Sequence, residues 1–304
     1  MSKTFEERIQ DWYNLINRIK QAPMPGLVPS PPDPRDYRVE DIPVAAVRVP
    51  EKYVLPTSPI VLNQGNTPYC GGASAAGIAN AYYNTYSLMP HGGFSMSFIY
   101  WLAKQYDGIP EIQGTYIRTV LKIIQKYGCA PESLAKFSTS KIVITPEALR
   151  AAEDYKIEAY ARLNTITDIQ LALTRGLYII VGTLVTSENW NRQQGFLSYP
   201  KGDLYGGHAS FFFGYDSLLQ KEHQGYYNGQ NSWGERWGDR GRFYLPYDYL
   251  KMTYNNMPAF LEAWGVKFIP VEPEKPEQEK PTPIEPKKRP NLNWPGRKYR
   301  GKIR

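Results

Sequence analysis

Apolar positions follow different rhythms along the chain, and each rhythm predicts a different element. Between residues 4 and 20, Phe5, Ile9, Trp12, Ile16 and Ile19 recur in alternating steps of four and three, the spacing that lines one face of a helix. Thr4 and Glu7 have the form of a capping box, and Pro23 and Pro25 end the pattern. A lone helix of this length is marginal in water, so its stripe is expected to dock on the main domain, on a partner or on a second copy; a pro-segment that covers a cleft is the remaining reading. From about 61 to 130 the pattern is again helical. NQGNTPYC runs into GGASAAGIANAYYNTY, then SMSFIYWLAKQY and TYIRTVLKIIQKYG, with Gly128 as a C-terminal stop. From about 155 to 270, short runs bounded by turn residues predict strands: IEAYARL, LYIIVGTLV, HASFFFGY, GYYNGQNSW, GRFYLP and AWGVKFI. ITDIQLALTRG reads as a short helix among them.

Prolines crowd residues 23 to 60, which excludes a regular helix or a central strand there and predicts an extended arm along a globular surface. From 271 onward, low apolar content and frequent proline predict a disordered or polyproline-like tail. The expected organisation is therefore a helix in 1–22, an arm in 23–49, a folded domain in 50–270 and a tail in 271–304. Helices first and strands later give an α+β fold in two lobes.

Composition changes this picture little: 304 residues, 42% hydrophobic and 21% charged, describe an ordinary globular chain. The 24 tyrosines suit seams and clefts that stay partly wet. No apolar run approaches the roughly 20 residues that span a bilayer. The opening MSKTFEERIQDWYN lacks the apolar centre of a secretory signal. The expectation is a cytoplasmic protein, or one of the virion or host cytoplasm if virus-encoded. Charge is more informative. Residues 287–304 hold eight basic side chains and no acid, so the other 286 residues carry −1 of the net +7. The basic character belongs to the tail, which would contact an anionic polymer through charge alone or simply keep the end soluble. The two cysteines and three histidines have no metal-ligand spacing, and no phosphate-cradling loop occurs; neither metal nor other cofactor is expected.

The chemistry gathers around Cys70. A loop containing Gln64 leads to it, and a helical stretch of small residues follows at once, which puts the thiol at a helix N-terminus. Unpaired N–H groups and the helix dipole there favour the thiolate. His208 opens a strong strand in GGHASFFFGYD, and Asn231 begins NSWGERWG. A thiol nucleophile needs a base within hydrogen-bond reach, and that base needs a third group to fix its tautomer. Trp233 is placed to lie over the base and keep water from it. Cys129, just past a helix end, reads as structural, and His91 and His223 as solvated loop residues.

These three segments resemble the papain family of cysteine peptidases. The interval from Gln64 to the cysteine is six residues, Ser74 and Ala75 match the Ser-Ala after the family's nucleophile, and QNSWGERWGDRGRFYL resembles its Asn-Ser-Trp-Gly segment, including a second tryptophan, Trp237. The family's histidine and asparagine lie roughly 130 to 150 residues beyond the cysteine; here the intervals are 138 and 161. The likeness covers about residues 50–270. It implies two lobes, one helical with Cys70 at a helix N-terminus and one β-rich carrying His208 and Asn231. It further implies an oxyanion held by Gln64 and the Cys70 backbone N–H, and a peptide or protein substrate. The sequence departs from the family at three points. Gly71 and Gly72 follow the cysteine in place of a large residue and are expected to loosen its backbone. Thr67 stands where the family often has a disulfide cysteine. The glycine pair that binds peptide backbone has no clear match, and Gly114 is the nearest candidate, with Gly207 beside the histidine on the other side. The implied function is peptide-bond hydrolysis, endo or exo, through an acyl-enzyme on Cys70. A weakly active or inactive module kept for binding, and an amide-transfer enzyme with the same site, are the rivals.

Overall fold

A computed structural model describes residues 26–38, 41–42, 47–190 and 194–271. The amphipathic pattern of 4–20 and all but the first residue of the basic tail lie outside the described residues.

Five α-helices lie among the described residues. The first, α1 (Cys70–Thr85), is buried around nearly its whole circumference, from Cys70 to Tyr83. A helix apolar all round belongs in a core. Its glycines make this possible. A Cβ at Gly72 would lie 2.6 Å from the Met96 carbonyl, and one at Gly77 would lie 2.6 Å from the Phe211 ring. Gly72, the second of the glycine pair after Cys70, therefore permits a close approach at a point where the sequence suggested a loosened helix start. Next come α2 (Met96–Lys104), capped by the Ser95 hydroxyl, and α3 (Ile117–Lys126), which buries Val120, Leu121 and Ile124. A short α4 (Pro146–Ala152) follows, announced by a Thr145 cap and a proline in its first turn; the pattern of apolar residues had not predicted it. The last, α5 (Ile166–Thr174), opens on a Thr165–Asp168 capping box.

Nine strands join in one sheet. In chain order they are β1 (Leu27–Val28), β2 (Lys52–Val54), β3 (Thr115–Tyr116), β4 (Ile157–Leu163), β5 (Tyr178–Thr186), β6 (Leu204–Gln220), β7 (Gln224–Gln230), β8 (Arg242–Pro246) and, after a small hairpin of β9 (Thr253–Tyr254) and β10 (Met257–Pro258), β11 (Phe260–Phe268). The main path runs β3-β1-β6-β5-β11-β4, with β2 and β7 also on β6 and β8 on β7. Every residue of β5 is buried. Four of the helices precede the longer strands, with α5 between β4 and β5, an α+β fold of the expected kind.

One expectation fails. The proline-rich arm does contribute a strand, and an internal one. Leu27 pairs in parallel with Thr115 and antiparallel with Gly207, so β1 lies between β3 and β6. Proline forbids a strand only where an N–H is needed, and residues 26 to 28 are the non-proline gap between Pro25 and Pro29.

Candidate active site

Cys70 is the first residue of α1, and Tyr69 before it offers no side-chain cap. The first N–H groups of the helix are thus left for whatever lies at that end. Gln64, six residues upstream, is fully buried and folds its own loop: its Nε2 donates to the Thr67 carbonyl (2.7 Å), and the Thr67 hydroxyl donates to the Gln64 carbonyl (2.7 Å). This reciprocal clamp stands at the position where the resemblance placed a disulfide cysteine. A carboxamide nitrogen carries two N–H groups, so one remains for another acceptor. Gln64 is also tied across the cleft. Its N–H donates to the Ser232 carbonyl (2.8 Å), and the Ser232 hydroxyl donates to its Oε1 (2.6 Å).

On the β side, His208 lies in β6 opposite Thr183 of β5 and is completely buried. Its Nε2 is 2.7 Å from Asn231 Oδ1. The oxygen can only accept, so Nε2 bears the proton and Nδ1 is left as the free nitrogen. That Nδ1 has no hydrogen-bond partner. Asn231 follows β7, and its own N–H donates to the Gly241 carbonyl (2.8 Å). Two tryptophans close around the imidazole, and a third backs them. Trp233 lies tilted at 4.7 Å between centroids, and Trp190 meets the ring edge-on at 5.1 Å. Trp237 stacks on Trp190 and donates from Nε1 to its carbonyl (3.0 Å).

Trp190 was not foreseen. It comes from the turn after β5 and belongs to no motif. Asn189 delivers it, accepting from the Thr186 N–H (2.7 Å) and donating to the Leu184 carbonyl (3.1 Å) and the Tyr249 hydroxyl (2.7 Å). Asn two residues into a turn was the available signal.

The arm lies across this site. Gly26 sits so close to Pro68 that a Cβ on it would be 2.1 Å from the Pro68 carbonyl oxygen, and its own carbonyl accepts from the Thr115 N–H (3.0 Å). Gly114 and Gly207, the two candidate substrate positions, flank it. A Cβ on Gly114 would lie 2.4 Å from the Gly26 oxygen, and Gly207 pairs with Leu27. The Leu27 side chain is 1% exposed and fills a hollow at Gly182 beside Ile117 and Glu262. Beyond it, the Ser30 N–H donates to buried Glu262 (3.1 Å), Asp36 is ion-paired with Arg118, and Arg162 donates its N–H to the Tyr37 carbonyl (2.8 Å). Arg118 and Arg162 each lie 5.3 Å from the Trp264 ring centroid.

Covered in this way, the thiol and imidazole are both neutral. Burial pushes the Cys70 thiol up to about 11, although the N–H groups of Ala209, Gly26, Gly71 and Cys70 itself work against it. Burial also pulls His208 down to about 4, opposed by its bond to Asn231. The helix terminus had led us to expect a lowered thiol; with the arm in place, loss of water outweighs the dipole. Cys129 is also buried, and both cysteines are free. Among the described residues no three His, Cys, Asp or Glu side chains gather as a metal site, and no helix is long and apolar enough to cross a membrane. A surface cavity of about 630 Å³ lined by Lys52, Asp216 and Tyr244 holds none of these residues.

Helices set against a mixed sheet, with Cys70 at a helix N-terminus and the hydrogen-bonded His208–Asn231 pair on the sheet, define an α+β fold. The model of the papain family cysteine proteases matches residues 61–258, and the chain belongs to that family. An uncharacterized peptidase C1-like protein of Acanthamoeba polyphaga mimivirus is 31% identical over 218 residues, which are 64% of this chain and 67% of that one. Among solved structures, xylellain, a cysteine protease from Xylella fastidiosa, is similar with a TM-score of 0.69 at 24% identity, covering 81% of this chain and 96% of its own. The bromelain protease of Ananas comosus has a TM-score of 0.56 at 20% identity, covering 73% and 100% respectively.

Proposed function

We propose that this chain is a cysteine peptidase with Cys70 as nucleophile, His208 as base, Asn231 as the group that orients the base and Gln64 as an oxyanion donor, and that residues 26–38 form a strap which must leave before substrate enters. The 2.7 Å bond from His208 Nε2 to Asn231 Oδ1 carries the reading. It fixes the one tautomer whose Nδ1 is free to take a proton from sulfur. The lone buried Nδ1 is otherwise a costly feature that a purely structural histidine avoids.

The steps follow from this geometry. With the strap gone, water returns, the thiol proton moves to Nδ1, and the helix N-terminus favours the resulting thiolate. Sulfur attacks the peptide carbonyl, and the oxyanion is held by the spare Gln64 N–H and the Cys70 backbone N–H. The imidazolium gives its proton to the leaving amine as the C–N bond breaks. Neutral His208 then takes a proton from water, whose oxygen attacks the thioester and restores the thiol. An extended chain between Gly114–Thr115 and Gly207 supports a peptide substrate, since the strap is one.

Cys70→Ser should keep the fold and lower peptide hydrolysis by about three orders of magnitude or more, measured on a generic peptide with the strap displaced. Activity within a few fold of the parent would end this reading in favour of a binding module.

A further inference from the structure

The loop from Gln105 to Gly114 ends at the edge of the cleft, yet it has no strand or helix to hold it. It folds instead around one ammonium group. Lys104, the last residue of α2, turns its side chain back into the protein, where Nζ donates to the carbonyls of Ile109 (2.8 Å), Ile112 (2.9 Å) and Gly114 (3.1 Å). The Asp107 carboxylate lies 2.7 Å from the same nitrogen, with the two side chains 8% and 0% exposed. The other Asp107 oxygen accepts from the Ile109 N–H (3.1 Å). Three carbonyls of this one loop take the three ammonium protons, so Asp107 Oδ2 meets Lys104 as an ion pair without a hydrogen bond of its own.

The third carbonyl links this cage to the site. Gly114 C=O and Thr115 N–H belong to one planar trans peptide, so they point in opposite directions. Holding the oxygen on Lys104 turns the Thr115 N–H into the cleft, where it meets the Gly26 carbonyl at 3.0 Å. A cation on one end of the peptide also polarises it and strengthens the donor at the other. The Gly114 N–H is fixed separately by the Tyr100 hydroxyl (3.2 Å).

We propose that Lys104 is a positioning residue for the peptide-binding edge. Its ammonium sets the orientation of the Gly114–Thr115 peptide and so governs how firmly any extended chain, strap or substrate, is held there. The substrate half of this inference rests on the peptidase reading above; the strap half does not.

The test uses the full chain with Lys104→Met. Because that change leaves Asp107 buried without a partner, the double variant Lys104→Met/Asp107→Asn is made beside it, removing both charges and keeping an oxygen for the Ile109 N–H. In the otherwise native chain, iodoacetamide labelling of Cys70 should rise about tenfold as the strap loses its edge, with Cys129 unchanged. In a chain whose strap is displaced by Leu27→Asp, KM for a peptide substrate should rise about tenfold with kcat held, the pattern of lost uniform binding. Labelling and KM both unmoved would overturn the proposal. So would equal acceleration of Cys70 and Cys129, which would mean general loosening. If the strap-displaced chain hydrolyses no peptide at all, the peptidase reading fails, and the labelling ratio alone decides the role of Lys104.

Discussion

The strap and β6 are both extended, and they lie side by side, but they are held in opposite ways. β6 runs for 17 residues and pairs with β1, β2, β5 and β7; it is buried along most of its length and carries His208. The strap joins the sheet over two residues, adds single backbone contacts at Gly26, Tyr37 and Arg38, and otherwise depends on a few anchors: Leu27 in its hollow, Ser30 on Glu262 and Asp36 on Arg118. A long strand locked into ladders along its length opens only with global unfolding, whereas a segment with two ladder residues and a few anchors opens locally. On the proposed reading the cover is therefore separable from the site it covers, and Cys70 and His208 stay neutral until the cover lifts.

The sharpest way to break this contrast is on the scaffold side. Trp190→Ala removes a fully packed aromatic beside His208 and should cost about 3–5 kcal/mol of stability, read from denaturant or thermal unfolding. Labelling of Cys70 and Cys129 should rise together, since scaffold damage acts through unfolding. Selective exposure of Cys70 in this variant would mean that the site wall itself is the mobile part.

Acid tests the same point. His208 titrates near 6.5 when unfolded and is pulled down to about 4 in the covered fold. Between these values the unfolded chain binds more protons, so stability is present above 6.5 and is lost as pH falls toward 4. The loss is on the order of 3 kcal/mol. Burial raises the Glu262 carboxyl, which acts in the opposite sense, so the measured quantity is the difference between the native chain and His208→Ala. The native melting temperature should fall more steeply with acid than that of the variant. Parallel curves would contradict a buried neutral imidazole.

The smallest effect is expected at the far anchor. Asp36→Ala removes the carboxylate paired with Arg118 and should raise Cys70 labelling about tenfold, or ~1.4 kcal/mol, while Cys129 stays slow.

Which of these features were legible in the sequence follows from how far each one acts along the chain. β4 coincides with the run IEAYARL, and α1 begins at the cysteine that the loop-to-helix change marked. Gln64, His208 and Asn231 were singled out because each sits in a local segment with its own pattern. The strap strand was hidden because its partners, Thr115 and Gly207, are remote in sequence, and prolines on both sides argue against pairing. Trp190 reaches His208 only through the turn built by Asn189. Lys104 carries no local signal, because the loop that closes over its ammonium comes after it in the chain. Gly71 and Gly72 looked like helix breakers because propensity is local, while the neighbours that crowd them, Val120 beside Gly71 and Met96 beside Gly72, lie on other helices.

The most direct measurement is the rate of iodoacetamide labelling at Cys70 and Cys129 near pH 5.5, read by mass spectrometry in the full chain, in Leu27→Asp and in Leu27→Asp/His208→Ala. An ordinary thiol is almost wholly protonated at about this pH and reacts slowly. In the native chain both cysteines should be slow. A carboxylate cannot occupy the Leu27 hollow cheaply, so Leu27→Asp should accelerate Cys70 by about two orders of magnitude and leave Cys129 alone. Removing His208 should abolish the gain, because the thiolate depends on its partner. If Cys70 stays as slow as Cys129 once Leu27 is replaced, or stays fast without His208, the account of a covered thiol–imidazole pair is wrong.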